Sequence, residues 1–368
     1  MVAEREHVGL EPFFAAGVLI AALSSTSLNL AYYASGAVQA AVFILLATSY
    51  LLEHRGFSRL SPIILTAAVT AAGAYCFLNS IIINIGSREN CGYLYEMIGK
   101  ISMILQSFID TIPFNSSDTS SLIKALVIGE RTNLPRHIIE AFRSSGASHI
   151  LALSGLHLGM VYGLISKTLH IFGNRRQFKI TRSILNVSIC TLYTLATGAS
   201  ASMTRALLFI ILKEVGEISD RRAKLSDIFK KSLLIQLVFS PEKVLDIGFQ
   251  LSYTAMAGII WIYPHLKALW KDGSDPILTK IWHSAALSIS CQFTTAPLTW
   301  CYFGTVPVHF ILTNLFALPL TGIIIPFSAS TILLSMLGIC PEILTEATEK
   351  LIEILIDILE IISGMGEV

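Results

Sequence analysis

The segment AFRSSGASHILALSGLHLGMVYGLI (141–165) decides the fold, because a polar stretch turns within a few residues into a long apolar helix. Asn133 and Pro135 are typical of the start of a short helix before it, and Gly146 of its end. Gly155, Gly159 and Gly163 then recur at four-residue steps, a spacing that lets a second helix approach closely. The segment predicts a short interfacial helix followed by a tightly packed helix inside a membrane.

Ser154 and His157 lie on the other face of that helix and do not form a hydrolytic site. A nucleophile elbow needs glycines two residues before and after the serine, where this chain has Ala152 and Leu156. His157 belongs to no H-E-x-x-H pattern, and the six cysteines form no C-x-x-C, so the sequence predicts no metal site. Two interpretations of His157 stay open, a structural hydrogen bond between helices and a position facing a pore.

The composition indicates a membrane protein. Of the 368 residues, 53% are hydrophobic and 14% are charged, whereas soluble domains carry about 25% charged residues. This chain could not cover a soluble protein with polar surface, so soluble enzymes, disordered scaffolds and disulfide-rich secreted modules are excluded. The net charge of +1 excludes a broadly basic nucleic-acid coat but not a local basic path.

The apolar runs predict an all-α, polytopic bundle. Segments long enough to cross a bilayer cover 12–32, 37–52, 61–85, 150–172, 244–263 and 281–300. The run 308–338 is interrupted by Pro319, Gly322 and Pro326 and is expected either to cross once or to fold back. The runs 183–197 and 203–213 are short and predict a half-membrane or re-entrant hairpin that turns at 197–202. The acidic and apolar residues of 341–360 alternate at steps of three and four, which predicts an amphipathic helix that lies on the membrane surface or on other helices.

Charge sets the expected orientation and the regions of the chain. Basic clusters at 167–182 and 213–231 flank the hairpin and should be cytoplasmic, which places the N-terminus inside as well. The predicted regions are N-terminal transmembrane helices (1–85), a short extracytoplasmic segment (86–118), a motif-bearing domain (119–338) and the C-terminal amphipathic helix (339–368).

Arg205 is the most informative single residue in the apolar runs, because it carries a charge. A charged group at membrane depth faces a cavity or a partner. Asp246 could supply the counter-charge, so a buried Arg205–Asp246 pair and a contact of Arg205 with a phosphate are equally open. Gln250 and Tyr253 share a helical face with Asp246, as expected either for a wetted wall or for hydrogen bonds between helices.

Four ordered segments resemble the ComEC competence family. The first block is ALVIGER (125–131) with AFRSSGASHILALSGLHLGM (141–160), and the second is TGASASMTRALLF (197–209). The third is SPEKVLDIGFQLSYTAMAGIIWIYP (240–264), and the fourth is TAPLTWCYFGTVPVHFILTNLFALPLTG (295–322). The resemblance implies an inner-membrane channel for inward transport of single-stranded DNA in natural transformation. Residues 86–118 are too few for the family's OB-type domain, and no metallo-β-lactamase-like motif is present, so nuclease activity is not implied.

The channel interpretation leads to specific expectations. The candidate lining is Ser154, His157, Arg205, Asp246, Gln250, Tyr253 and Asn314, with Gly155, Gly159 and Gly163 in helix packing. No G-x-x-x-x-G-K-[ST] occurs, so a separate cytosolic ATPase should supply the energy. A channel of this kind implies no enzymatic activity, no cofactor and a DNA receptor at the outer face, and a homo-oligomer stays open. The alternatives are a small-molecule transporter, which should show two matching halves, and a structural membrane subunit, whose polar side chains should be paired internally.

Overall fold

The computed structural model is helical throughout the part of the chain that it describes. That part comprises residues 10–24, 61–86, 92–170, 176–219, 224–270, 275–304, 309–339 and 342–364, with a few single positions between 38 and 48. The N-terminal helices are α1 (Glu11–Ser24), α2 (Ser61–Gly86), α3 (Gly92–Asp110) and α4 (Ser117–Ile123), which continues into a first π-helix (Lys124–Ile128). The middle helices are α5 (Arg136–Ser144), α6 (Ser148–Leu151), α7 (Gly155–His170), α8 (Arg176–Ala196), α9 (Ala201–Ile218) and α10 (Leu225–Phe239). After a 3₁₀ turn (Pro241–Leu245) follow α11 (Ile247–Ala257), a second π-helix (Gly258–Ile262), α12 (Tyr263–Ala268), α13 (Pro276–Phe303), α14 (Phe310–Met336) and α15 (Glu342–Gly364).

One helix among the described residues, α14, is long and apolar enough to cross a bilayer by itself. Its 27 residues rise about 40 Å. Pro319 and Pro326 lie inside this continuous helix, so the expected interruption of the run 308–338 is wrong. An apolar helix tolerates proline where neighbouring groups satisfy the freed backbone carbonyl. The predicted span 37–52 falls outside the described residues apart from a few isolated positions.

The predicted hairpin turn lies between α8 and α9, but the two helices are longer than their apolar runs. They contain 21 and 18 residues and rise about 31 and 27 Å. The sequence argument ended the two runs at the charged residues Arg182 and Glu214, whereas both helices continue past these positions. Glu214 can lie inside the protein because its side chain accepts a hydrogen bond from Ser183. The argument for a half-membrane hairpin from short length is therefore wrong.

The chain divides into two compact units. The first contains α1, α2, α10, the 3₁₀ turn and the first turn of α11. Its α1–α2 crossing depends on two glycines: a Cβ atom built on Gly17 would lie 1.7 Å from the Thr70 carbonyl oxygen, and one on Gly73 would lie 2.1 Å from the Phe14 carbonyl oxygen. Any side chain at either position would force the two helices apart.

The second unit contains α3–α9 and the chain from Leu251 onward, and it holds the larger hydrophobic core. Side chains from α4, the first π-helix, α5, α14 and α15 meet there, and Leu122, Phe142, Ile324 and Leu355 have no exposed surface. A smaller cluster of Leu153, Leu158, Cys190, Met203 and Ile210 joins the chain before α7 to α7, α8 and α9.

The C-terminal helix α15 lies on other helices of this second unit. Its apolar face is buried at Ile352, Leu355 and Leu359. Glu349 is one of the acidic residues of the predicted amphipathic helix 341–360, yet its side chain is buried. It accepts hydrogen bonds from Asn115 Nδ2 and the Ser116 N–H, each 2.8 Å long. The carboxylate thus fastens α15 to the start of α4.

Candidate functional site

The first block contains a short non-helical stretch between α6 and α7, and Ser154 and His157 form hydrogen bonds at its end. The Ser154 N–H donates to His157 Nδ1 over 3.3 Å, and Ser154 Oγ lies 2.9 Å from the same nitrogen. Both contacts stabilise the start of α7, and His157 accepts from the Ser154 N–H as the Glu or Gln of a capping box would. Because Nδ1 accepts, the neutral ring carries its proton on Nε2, which is buried and has no hydrogen-bond partner among the described residues.

The second block packs against this helix start. The Gly155 N–H donates to Ser202 Oγ over 3.2 Å, and a Cβ atom at Gly155 would lie 3.1 Å from Ala206 Cβ. A Cβ at Gly159 or Gly163 would contact nothing in the described chain within 4 Å. Of the three glycines predicted to pack, Gly155 is the one that has a close neighbour in the described structure.

Arg205 joins the second block to the third. Its side chain is 2% exposed, its Nε donates to Ser252 Oγ over 2.9 Å, and its guanidinium carbon lies 5.2 Å from the centre of the Tyr253 ring. A hydrogen bond and a cation–π contact thus hold the cation. Tyr253 is itself buried, so the two predicted residues are brought together away from solvent.

The fourth block reaches the same region of the second unit through the start of α14. Thr313 Oγ1 donates to the Ser145 carbonyl over 2.6 Å, and the His149 ring lies 5.1 Å from the Phe310 ring. Asn314 is 2% exposed, and its Oδ1 has no partner within hydrogen-bonding geometry among the described residues. We call this assembly of the four blocks around the start of α7 the block junction.

Asp246 and Gln250 belong to the other unit, where both stabilise the start of α11. Asp246 is exposed and accepts from the Gly248 N–H over 2.7 Å, while Gln250 Nε2 donates to the Val244 carbonyl over 2.8 Å. The Arg205–Asp246 pair therefore stays a prediction, and the partners described above for Arg205 are Ser252 and Tyr253.

A small cleft separates the first block from the second at the turn between α8 and α9. It has a volume of about 310 Å³. Its lining is Gly99, Ser102, Ile128, Gly129, Glu130, Ala196, Thr197 and Gly198. Hydrogen bonds from Thr132 hold the pKa of the Glu130 carboxyl below its ordinary value. The sequence analysis missed this carboxylate, although it lies within ALVIGER.

A second acid that the sequence analysis missed is Glu214 on α9. It is 2% exposed and accepts hydrogen bonds from Tyr162 and from two residues of α8, Ser183 and Asn186. The sequence does contain a signal for this contact. Glu214 directly follows the apolar run 203–213, and Ser183 and Asn186 lie three residues apart, on one face of the neighbouring helix.

Comparison with known proteins places these blocks in a family. The model of the family described as "Competence protein" matches residues 126–367. ComE operon protein 3 of Bacillus subtilis (strain 168) is 24% identical over 263 residues, which cover 69% of this chain and 32% of that protein. Competence protein ComA of Neisseria gonorrhoeae is 27% identical over 222 residues, covering 58% and 31%. Recombination protein 2 of Haemophilus influenzae is 23% identical over 210 residues, covering 54% and 26%.

No solved structure matches the chain. The chain spans about a third of the length of the curated relatives that it matches. The family model nevertheless covers about two thirds of this chain and includes nearly all of the first block, the other three blocks and α15. The chain therefore belongs to the ComEC/Rec2 family of competence proteins.

Proposed function

We propose that this protein is a polytopic protein of the bacterial inner membrane that conducts single-stranded DNA inward during natural transformation. Two of the relatives above are named for competence or its operon and one for recombination, which supports a role in DNA uptake. In this proposal the N-terminus is cytoplasmic, and the predicted spans surround the path.

The block junction is the observation that carries the proposal. Four segments that are far apart in the sequence contribute one buried residue each, namely His157, Arg205, Tyr253 and Asn314. They do so in a chain whose composition calls for lipid around it. Burying a cation and unsatisfied polar atoms costs several kcal/mol each, so such groups mark a path or a specific contact. His157 Nε2 offers a donor without a hydrogen-bond partner among the described residues.

We infer that the described arrangement is a closed state of the proposed path. Arg205, His157 and Asn314 are each at most 2% exposed, so a DNA strand needs the junction to open. The break between α6 and α7 and the turn between α8 and α9 are the elements that separate in our proposal. A single arginine rather than a basic wall suits conduction, because a dense row of phosphate contacts would hold the strand.

The partners follow from what a channel requires. Movement of a polyanion needs an energy source, which we assign to a cytosolic ATPase, and delivery needs a DNA receptor at the outer face. The protein itself carries out no chemistry and uses no cofactor in this proposal. Lipid surrounds it, and a homo-oligomer is compatible with the exposed Gly159 face of α7.

Arg205→Ala tests the path directly. The variant should reach the membrane in normal amounts while entry of labelled DNA into the cytoplasm falls at least tenfold, and Arg205→Lys should restore part of the entry. The matched control is Arg136→Ala, an equal charge removal at an exposed position of α5. Normal DNA entry with Arg205→Ala would remove Arg205 from the path.

A structural membrane subunit is the second candidate, because many polar groups of the hairpin are paired within the protein. Tyr193, for example, donates to the Val127 carbonyl over 2.7 Å, and Asn186 donates to Glu214. Ser154→Cys in a cysteine-free background separates the two candidates. A channel should expose the new thiol to a small hydrophilic reagent during DNA uptake, whereas a packed scaffold should protect it at all times.

A further inference from the structure

The Glu214 carboxylate lies where α7, α8 and α9 meet, and the groups that bond to it among the described residues are all neutral. Tyr162 Oη donates to Oε1 over 2.7 Å, and Asn186 Nδ2 donates to the same oxygen over 3.1 Å. Ser183 Oγ donates to Oε2. Glu214, Ser183 and Asn186 are each at most 2% exposed.

The negative charge of this cluster is not balanced by an ion pair within the described chain. The nearest basic residue in sequence, Lys213, has its Nζ 4.8 Å from the centre of the Tyr162 ring and 3.9 Å from Glu217 Oε1. Lys213 is therefore engaged by other groups, and its side chain is half exposed. A buried carboxylate without a counter-charge is costly even when it is fully hydrogen-bonded.

Asn186 supplies a second, independent observation. Its Oδ1 is buried and has no hydrogen-bond partner among the described residues, although the same amide group bonds to the carboxylate. A half turn of the amide would place Oδ1 beside Glu214 Oε1. Two such oxygens repel each other unless a cation lies between them.

We propose that Glu214, Asn186, Ser183 and Tyr162 form a binding site for one monovalent alkali cation, with Na⁺ as the expected ion. Carboxylate, amide and hydroxyl oxygens are the ligands that hard cations prefer. Each hydroxyl oxygen keeps a lone pair for the cation while its hydrogen remains on the carboxylate. One negative charge balances one positive charge. No group of three or more His, Cys, Asp or Glu side chains that could hold a metal ion occurs in the described ranges, which argues against a divalent ion.

The site does not depend on DNA transport, so its test is independent of the proposed function. Thermal unfolding of the purified full chain in detergent is measured at equal concentrations of NaCl, KCl and choline chloride. Because a ligand that binds only the folded state stabilises it, the midpoint should rise by about 2 °C for each tenfold increase of Na⁺ above the dissociation constant. Choline chloride should give no such rise in the midpoint. An equal rise with choline chloride would show that ionic strength alone causes the stabilisation, and it would overturn the proposal. A larger response to KCl would keep the site and assign it to K⁺.

Glu214→Gln removes the charge while keeping the shape, and it should abolish the Na⁺-specific rise. Ser183→Ala removes one ligand and should move the response to at least tenfold higher Na⁺, which keeps the proposal testable if Glu214→Gln does not fold. The matched control is Glu349→Gln, which alters another buried carboxylate in the same unit and should keep the full response. A wild-type response in both Glu214→Gln and Ser183→Ala would overturn the proposal.

Discussion

The three glycines of α7 form a matched series for testing how this helix packs. Alanine or valine is placed in turn at Gly155, Gly159 and Gly163. Gly155 faces Ala206 across a narrow gap, whereas the other two positions have open space within the described chain. The same substitution should therefore have opposite signs at different positions of one helix.

The magnitudes follow from the geometry. Alanine at Gly159 gains about 0.5–1 kcal/mol from helix propensity, because nothing opposes the new methyl group. At Gly155 the new Cβ would lie 3.1 Å from Ala206 Cβ, so α7 and α9 must separate by several tenths of an ångström to reach ordinary carbon contact at about 3.5–4 Å. Valine at Gly155 adds two more methyl groups at the contact and should cost about 1–3 kcal/mol.

Thermal unfolding of the purified variants measures this series. Gly155→Val should lower the midpoint by at least about 2 °C relative to Gly159→Val, since each kcal/mol corresponds to about 2–4 °C in chains of 150–250 residues. Of the three valine variants, we expect Gly155→Val to reduce DNA entry and the other two to leave it unchanged. If Gly159→Val or Gly163→Val proves the more harmful, α7 packs against a partner along this stripe, and the reasoning from the isolated chain is refuted.

Three further predictions concern other parts of the chain. Glu349→Leu removes the acceptor of two hydrogen bonds at the start of α4, one from the exposed Asn115 side chain and one from the half-buried Ser116 N–H. The change should cost about 1–3 kcal/mol and speed hydrogen exchange in α15, with about half the effect for Glu349→Gln. Unchanged exchange would show that the apolar face alone holds α15. Gly17→Val places a side chain against the Thr70 carbonyl and should destabilise the α1–α2 crossing by about 3 kcal/mol. The amount of folded protein recovered should fall, and a wild-type yield of folded protein would contradict the close crossing. Because the folded-state pKa of Glu130 is lowered, its contribution to stability is present above its ordinary value of 4.5 and is lost as the pH falls through the lowered value. Exchange protection of residues 128–134, corrected for the intrinsic pH dependence, should show this loss in the wild type and not in Glu130→Gln.

Local features of the chain were predictable from the sequence. The helix that starts after Pro135 and ends before Gly146, the turn at 197–202 and the amphipathic helix at the C-terminus follow from turn residues and periodicity, and the structure contains all three. Each of these signals acts within one turn or one helix, so it can be recognised without knowing the neighbouring elements.

Long-range pairs were not predictable in the same way. Periodicity places Glu349 on a polar face because it cannot show that Asn115, more than two hundred residues earlier, lies opposite. Glu214 and the length of the hairpin were missed for the same reason, since hydropathy counts an acid as a helix end whether or not buried side chains donate hydrogen bonds to it. Of the predicted lining residues, the structure brings Ser154, His157, Arg205, Tyr253 and Asn314 into the block junction and gives Asp246 and Gln250 capping roles elsewhere.

The two π-helices have a consequence for genetics. They lie at Lys124–Ile128, which overlaps the start of the first block, and at Gly258–Ile262 in the third, and each holds one residue more than an α-helical turn would. Deleting one residue there would restore α-helical hydrogen bonding and leave the flanking segments in nearly the same orientation, because the extra residue is already absorbed within the π-helix. Deleting one residue from the middle of α14 would instead rotate the rest of that helix by about 100° around its axis. Single-codon deletions should therefore be tolerated better inside the two π-helices than inside α14.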